Sequence, residues 1–520
     1  MKTLDFATYR DKVAGCWTGK NIGGVLGAPF ECKRQLNDVQ FYTQDLSKGP
    51  PPNDDLDLQI VWLAAVEKFG RQVNAAILGE YWLSFVIPHW VEYGTGKSNM
   101  RAGLLPPISG HLDNVYRNSC GCFIRSEIWA CLAPGHPEIA ARYAFEDAIV
   151  DHSGEGAYGE VFFAALQSAA FVEGDYRKLI EIGLSYIPDG SFLAKAIGEA
   201  IRCHDDGVPF AEARKRIHNA APGTFGIQNQ KLSEIDKSDP EFLTGAAGFD
   251  APENCAYAIA GWLYGEGDFG KSICLANACG EDTDCSCATL GATMGIISGA
   301  SGLPAKWTEP LNDKIVTVCI DRTCGVWVPQ TATELAERVL RATPLFLGRE
   351  HCDVLAPGGY TVNCRFGDEL FSEDLSKEYL PGINGGGKDK LPSMPALCAM
   401  SPFVVRHSFP TFNLRIDYEG SVYFKKGEPR GVTVTVENSD LTKQQLWTRL
   451  ALFTPPGVAV VSQRSVTLPL NNVWGAKAQT RFVVDASQFD GARLEMVLDV
   501  SIEGRHSSGA VKVMLLAGGC

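Results

Sequence analysis

Two groups of carboxylates each stand directly before an apolar segment of the sequence. They are NDDLDLQ (53–59) and CGEDTDC (279–285), and in the second group Asp282 and Asp284 lie two residues apart. Carboxylates that crowd together away from water repel one another and need a cation. Carboxylate oxygens are the ligands that Mg²⁺ and Mn²⁺ prefer. If the fold brings the two groups together, they predict a site for one or two divalent ions.

Helix capping is the simpler explanation of the first group. Asn53 would then be the N-cap residue, and the aspartates would lie at the positive end of the helix dipole. The segment that follows, IVWLAAV (60–66), leaves few positions to face water, so we expect other helices to enclose the start of this helix. Because a second group repeats the same arrangement, we favour the metal interpretation.

A third polar motif, DHSGEGAYGE (151–160), also precedes an apolar segment. A single histidine is more often a packing residue than a catalyst. His152, however, stands beside Ser153, Glu155 and two glycines at a predicted helix start. We therefore interpret His152 as a catalytic residue and Ser153 and Glu155 as substrate-binding residues.

Small and apolar residues predict the helices that must position these groups. GCWTGKNIGGVLG (15–27) places a glycine at every fourth position, which is one face of a helix. Since glycine lowers helix propensity, such a face indicates that another backbone approaches closely. EVFFAALQSAAF (160–171) and ATLGATMGIISGA (288–300) are apolar on most faces, as interior helices are. We predict one all-α domain over residues 1–345.

The hydrophobic period becomes two near the end of the chain. GVTVTVEN (431–438) and RLEMVLDVSI (493–502) alternate apolar and mostly polar residues, as half-buried strands do. We predict an all-β immunoglobulin-like sandwich over residues 405–520. The turn-rich stretch before it, residues 346–404, is predicted to be a connector.

Bulk composition excludes several classes of function. A net charge of −14 argues against nucleic-acid and anionic-membrane partners, which need a surplus of Lys and Arg. There is no apolar run long enough for a membrane span and no apolar core for a signal peptide. An odd number of cysteines, 17, then indicates reduced thiols and a cytoplasmic location. The pairs Cys120/Cys122 and Cys285/Cys287 lack zinc-finger spacing.

In their order along the chain, these motifs resemble those of the ADP-ribosylglycohydrolase family. The resemblance covers roughly residues 10–310. Asn53 to Leu56 correspond to a Thr-Asp-Asp-Thr metal motif of the family, and Asn277 to Cys285 correspond to its late acidic motif. The other matching segments are the glycine-rich start through Glu31, Gly121 to Arg125, and Asp151-His152.

The resemblance implies an all-α fold whose cleft holds Mg²⁺ or Mn²⁺ ions and hydrolyses a glycosidic bond at a ribose anomeric carbon. The metal-binding residues that it implies are Asp54, Asp55, Asp282, Asp284 and Asn53. The catalytic residues would be Glu31, which could take a proton from water or orient it, and His152. The substrate-binding residues would include Asn118 and Gly121.

Three departures from the family motifs bear on the substrate and the number of ions. Asn53, Leu56 and Cys285 stand where the family has threonine. The motifs therefore do not decide whether the site binds one metal ion or two. We expect a small-molecule riboside, another glycoside or a nucleotide sugar rather than ADP-ribosylated protein. The family also includes jellyfish lens crystallins, so the alternative is a catalytically disabled structural or binding protein. A homo-oligomer is left open.

Overall fold

The computed structural model of the chain describes residues 2–31, 33–221, 249–372, 393–409, 411–438, 445–472 and 476–518. Helices occupy the first part of the chain and strands the last. The helices are α1 (Phe6–Gly27), α2 (Asp57–Phe69), α3 (Ala75–Phe85), α4 (Val91–Arg101), α5 (Ile108–His111), α6 (Ser126–Leu132), α7 (Pro137–Ala148), α8 (Glu155–Ala170), α9 (Tyr176–Leu184), α10 (Phe192–Asp205), α11 (Phe210–Ala220), α12 (Ala251–Gly265), α13 (Phe269–Ala278), α14 (Thr283–Ser298), α15 (Ala305–Thr308), α16 (Ala332–Leu347) and α17 (Met394–Cys398). The strands are β1 (Lys2–Leu4), β2 (Cys352–Asp353), β3 (Thr361–Cys364), β4 (Val404–Ser408), β5 (Phe412–Asp417), β6 (Tyr423–Phe424), β7 (Arg430–Asn438), β8 (Leu446–Phe453), β9 (Ala459–Val460), β10 (Ser465–Leu470), β11 (Lys477–Asp485), β12 (Arg493–Ile502) and β13 (Ser508–Ala517). The prediction of a helical domain followed by a β-rich region is confirmed.

The glycine face of α1 packs against the backbone of α14, as its spacing predicts. A Cβ atom on Gly19 would lie 2.1 Å from the carbonyl oxygen of Gly291, and one on Gly23 would lie 2.0 Å from that of Cys287. Both distances are far shorter than a van der Waals contact, so only glycine permits this approach.

The order of these contacts shows that α1 and α14 run in opposite directions. Gly15 faces Gly295 near one end of the pair, and Gly27 faces Thr283 near the other. The residues that follow α1 therefore lie beside those that precede α14. This packing brings the first and last motifs of the sequence to the same place.

Part of the predicted connector packs against the helical domain. β3 pairs with β1 in a three-stranded sheet of order β1-β3-β2. Val362, Cys364 and Leu397 are buried in the same hydrophobic core as the helices. Residues 373–392, which carry most of the glycine-rich stretch, lie outside the described residues. The domain limits at 345 and 405 stay predictions.

The strands after residue 400 form two sheets that share one hydrophobic core. Their strand orders are β10-β8-β12-β13-β6 and β4-β5-β7-β11-β9. The predicted alternation is confirmed, because the apolar residues of β7 and β12 are buried at every second position. The immunoglobulin-like detail stays a prediction.

The helical domain contributes to the core between these sheets. Leu104, Ile108 and Leu112, from the chain around α5, are buried among the strand residues. Tyr423 of β6 donates a hydrogen bond of 2.8 Å to Asp113 beside them. Within the described ranges, no helix is both long and apolar enough to cross a bilayer.

Candidate metal centre and cleft

A cleft of about 410 Å³ opens where α1 ends and α14 begins. The start of α4, the turn before α2, residues 119–121, Ile124 and Phe249 form the rest of its lining. The lining residues are Glu31, Asp54, Trp90, Val91, Glu92, Tyr93, Ser119, Cys120, Gly121, Ile124, Phe249, Asp282, Asp284 and Cys285.

The structure brings the predicted carboxylates together in two overlapping clusters. Oxygens of Glu31, Asp282 and Asp284 lie within 4.8 Å of one another, and so do oxygens of Asp54, Asp55 and Asp284. Asp284 belongs to both clusters, so one carboxylate joins two neighbouring places for a cation. The two acidic groups of the sequence thus converge as expected.

The oxygens of these carboxylates fit a divalent cation. Among the residues that the structure describes, no hydrogen-bond donor reaches Asp55 Oδ2, Asp282 Oδ1 or Asp284 Oδ1, and all three atoms are buried. Burial raises the pKa of Asp54, Asp55 and Asp284, and neighbouring carboxylates raise it further. A cation held by oxygen ligands would remove both penalties.

Asn53 shapes the turn that presents the first cluster. Its Oδ1 accepts a hydrogen bond of 2.8 Å from the backbone N–H of Asp55. Its amide fills the space above Gly24, where a Cβ atom would lie 1.8 Å from Asn53 Nδ2. α2 begins only at Asp57, so Asp54 and Asp55 precede the helix rather than cap it. A direct bond from Asn53 to a metal stays a prediction.

The remaining carboxylates of the two acidic groups bind protein instead. Asp57 Oδ2 accepts hydrogen bonds from the backbone N–H groups of Val318, at 2.6 Å, and Cys319. Glu281 accepts a hydrogen bond of 2.6 Å from Arg34 Nε. Both side chains hold neighbouring segments of the chain together by hydrogen bonds, and neither belongs to the clusters around Asp284.

His152 lies behind the cleft wall rather than in it. Its Nε2 is 2.9 Å from the hydroxyl oxygen of Ser119, which lines the cleft. Its Nδ1 is 2.9 Å from Asp151 Oδ1, and Arg125 Nη2 also donates to this oxygen at 2.9 Å. The buried chain of Asp151, His152 and Ser119 therefore connects a charged interior to the cleft.

Gly121 is the one of the four predicted substrate-binding residues that lines the cleft. Ser153 is hydrogen-bonded to His111 Nδ1 at 3.0 Å, outside the cleft lining. The Glu155 carboxylate accepts the first N–H groups of α10, at 3.0 and 2.9 Å, as a capping residue does. Asn118 Oδ1 accepts the Glu155 N–H at 3.2 Å, at the start of α8. Contacts of these three side chains with substrate stay predictions.

Glu92 is a cleft residue that the sequence motifs do not indicate. Burial raises the pKa of Glu92 to about 7, although the nearby His152 lowers it. Gly121 makes room for this side chain, since a Cβ atom there would lie 2.1 Å from Glu92 Oε1. A lone glutamate in a mixed segment gives no local signal, so only the fold reveals a carboxylic acid at this wall.

Two thiols also face the acidic clusters. Cys120 Sγ donates a hydrogen bond of 2.6 Å to Asp282 Oδ2, and Cys285 Sγ lies 3.8 Å from Asp55 Oδ1. Burial raises the pKa of both thiols well above its ordinary value. Each belongs to one of the two C-x-C pairs, which are far apart in the sequence.

Comparisons with known proteins agree with the helical fold of the first part of the chain. None of the curated proteins matches the chain. A solved ADP-ribosylglycohydrolase-related protein complex is 18% identical with a TM-score of 0.39, over 65% of this chain and 100% of that one. An alkylpurine DNA glycosylase AlkC of Pseudomonas fluorescens, bound to DNA containing an abasic site analogue, is 12% identical with a TM-score of 0.12, over 89% and 96% of the two chains. The model of the ADP-ribosylglycohydrolase family matches residues 5–345. The chain therefore belongs to the ADP-ribosylglycohydrolase family, which supports a glycohydrolase-type function.

Proposed function

We propose that the protein is a metal-dependent hydrolase that cleaves an N- or O-glycosidic bond of a small molecule, a riboside or another glycoside rather than ADP-ribosylated protein. The observation that carries the proposal is the pair of carboxylate clusters that share Asp284 at the floor of the cleft. Buried carboxylate oxygens without hydrogen-bond donors lower the stability of the fold, and a bound cation would offset that cost.

Mg²⁺ or Mn²⁺ would be held by Asp54, Asp55, Asp282 and Asp284, with Glu31 beside them. When bound, such an ion supplies a Lewis acid that orients sugar hydroxyls and lowers the pKa of a water molecule. The sharing of Asp284 by both clusters favours two adjacent ions over one.

The other residues of the cleft supply proton transfer and orientation. Glu31, at the edge of the acidic clusters, would accept a proton from the attacking water. Glu92, with a pKa of about 7, would hold a proton near neutral pH and donate it to the leaving group. His152 would act through Ser119, by fixing the direction of the hydroxyl that lines the cleft.

The size of the cleft suits a small substrate. About 410 Å³ lies within the range of about 300–1,000 Å³ that ligand pockets span, enough for a nucleoside or a sugar with a short aglycone. Trp90, which is 49% exposed at this wall, and Tyr93 offer ring faces against which a sugar or base can stack.

Calorimetric titration of the metal-free protein with Mn²⁺ tests the metal site. We expect saturable binding of two ions, lost in Asp284→Asn because this residue belongs to both clusters. Asp57→Asn is the matched control, a neighbouring buried aspartate bound to backbone, and should bind Mn²⁺ as the wild type does.

Hydrolysis is tested with the Mn²⁺-loaded protein and a panel of ribosides, nucleotide sugars and other glycosides, by chromatography of the products. We expect release of a free sugar from at least one compound, and its loss in Asp284→Asn. If the wild type binds no Mn²⁺ and cleaves none of the panel, the disabled, crystallin-like alternative replaces the hydrolase.

A further inference from the structure

The fold pairs one cysteine from each C-x-C motif inside the cleft. Cys120 Sγ, Cys285 Sγ and an oxygen of Asp282 lie within 4.8 Å of one another. All three residues line the cleft, so an ion has a route to them.

The second cysteine of each motif faces away from the cleft. Cys122 Sγ donates to the carbonyl oxygen of Gly156 at 3.3 Å, and Cys287 Sγ donates to that of Ile273 at 3.4 Å. Two residues along a helix or a tight turn place side chains on different sides, so the two motifs together yield one facing pair of thiols.

Asp282 adds a buried carboxylate to the two thiols, and it also belongs to the cluster with Glu31 and Asp284. The residue is 3% exposed, and its Oδ1 has no hydrogen-bond donor among the described residues. The Oδ2 atom is bonded to the Cys120 thiol. A buried oxygen of this kind, on a residue that forms one cluster with two thiols, can take a cation as its partner.

We propose that Cys120, Asp282 and Cys285 bind one thiophilic divalent cation of the Zn²⁺ type. Two sulfur donors favour Zn²⁺ over Mg²⁺ or Mn²⁺, which prefer oxygen, and three protein ligands leave a fourth position open to the cleft. The site shares Asp282 with the proposed hydrolase centre, but its donor set is different and its existence does not depend on hydrolysis.

The cation site follows from a departure within the family motif. Cys285 stands where the family has threonine, and its Sγ lies within 4.8 Å of Cys120 Sγ. A threonine at this position would leave Cys120 with no sulfur partner. Thus Cys285, which weakens a site for Mg²⁺ or Mn²⁺, supplies a ligand for a cation that prefers sulfur.

Titration of the full-length, metal-free protein with Co²⁺ in a non-thiol reductant tests this site. Co²⁺ reports thiolate ligation by charge-transfer absorption in the near ultraviolet, whereas Zn²⁺ has no such spectrum. We expect one equivalent of Co²⁺ to develop this band and one equivalent of Zn²⁺ to remove it. Cys120→Ser and Cys285→Thr should each weaken the binding at least about tenfold, since even outer-sphere partners of metal ligands contribute that much.

Matched variants separate this site from other thiols and from the hydrolase centre. Cys122→Ser and Cys287→Ser, each two residues from a proposed ligand, should keep the band. Asp54→Asn, which alters only the other cluster, should also keep it. A wild type without the band, a band that persists in both Cys120→Ser and Cys285→Thr, or a band lost in the Cys122 and Cys287 controls would overturn the proposal. Retention of the band with no Mn²⁺ binding would instead reject the hard-cation centre alone.

Discussion

Gly23→Ala should loosen the contact on which the whole cleft depends. The added Cβ would lie 2.0 Å from the carbonyl oxygen of Cys287 and 2.6 Å from the backbone nitrogen of Ala288. An ordinary carbon–oxygen contact is about 3.3–3.6 Å, so α1 and α14 would have to separate by more than about 1 Å. Neither clashing atom can move away alone, because both belong to the backbone of a helix.

Two opposing effects set the size of the change. Overpacking costs about 1–3 kcal/mol, and a backbone clash belongs at the upper end of that range. Alanine gains about 1 kcal/mol of helix propensity over glycine, which offsets part of this cost. We therefore expect Gly23→Ala to lower the free energy of unfolding by about 2 kcal/mol.

Urea denaturation followed by tryptophan fluorescence measures this loss, because the indole of Trp17 is buried on α1. Gly198→Ala on α10 is the control. The nearest atom to a Cβ there is Arg202 Nη1 at 3.7 Å, an ordinary contact, so only the propensity gain of about 1 kcal/mol remains. The two variants should move stability in opposite directions.

Mn²⁺ affinity supplies a second readout for Gly23→Ala. Glu31 follows α1 and Asp284 lies in α14, so separation of the helices should weaken Mn²⁺ binding, whereas Gly198→Ala should not affect it. A Gly23→Ala protein as stable as the wild type, with unchanged Mn²⁺ affinity, would refute the inference that this glycine face sets the geometry of the cleft.

Three further predictions concern buried carboxylates. Burial raises the pKa of Glu92 from its ordinary 4.5 to about 7, so the unfolded chain loses this proton at a lower pH than the folded protein does. Glu92 therefore lowers the free energy of unfolding by about 3 kcal/mol as the pH rises from 4.5 through 7. Glu92→Gln should remove this loss, which urea denaturation at pH 5 and at pH 8 would measure. Asp57→Ala, which leaves the buried N–H of Cys319 and the part-buried N–H of Val318 without their acceptor, should lower the free energy of unfolding by about 2 kcal/mol in the same assay, without changing Mn²⁺ affinity. Burial raises the pKa of Glu253, but His218 and Arg34 outweigh it and lower the pKa to about 2. The ion pair therefore stabilises the fold above pH 4.5 and loses this effect as the pH falls toward 2, so wild type and Glu253→Gln should converge in acid; a constant difference would contradict this assignment.

Features with a strong local period were predictable from the sequence. The spacing of glycines in α1 identifies one helix face, and the alternation in β12 identifies one strand face, because both periods follow from backbone geometry. The convergence of the acidic groups was also expected, since crowded carboxylates before buried helices repel one another and a common cation would relieve that repulsion. The sequence did not reveal which helix faces the glycines.

Features that depend on distance between separate segments were not predictable. Glu92 and the Cys120–Cys285 pair acquire their surroundings only when the walls of the cleft assemble. Conversely, Glu155 stands in a motif typical of a site, yet its carboxylate accepts hydrogen bonds from the start of α10. Local composition cannot distinguish a polar side chain that awaits a ligand from one that caps a distant helix.

The same short stretch of chain belongs to the β-sandwich at one end and to the cleft at the other. Leu104, Ile108 and Leu112 are anchored in the core between the sheets, and Ser119 and Cys120 follow within a few residues in the cleft wall. A movement of the two sheets would therefore pass along this stretch of chain to the cleft wall, where the Cys120 thiol contacts Asp282. Removing the sandwich would leave three large apolar side chains exposed to water and that wall without its mechanical support.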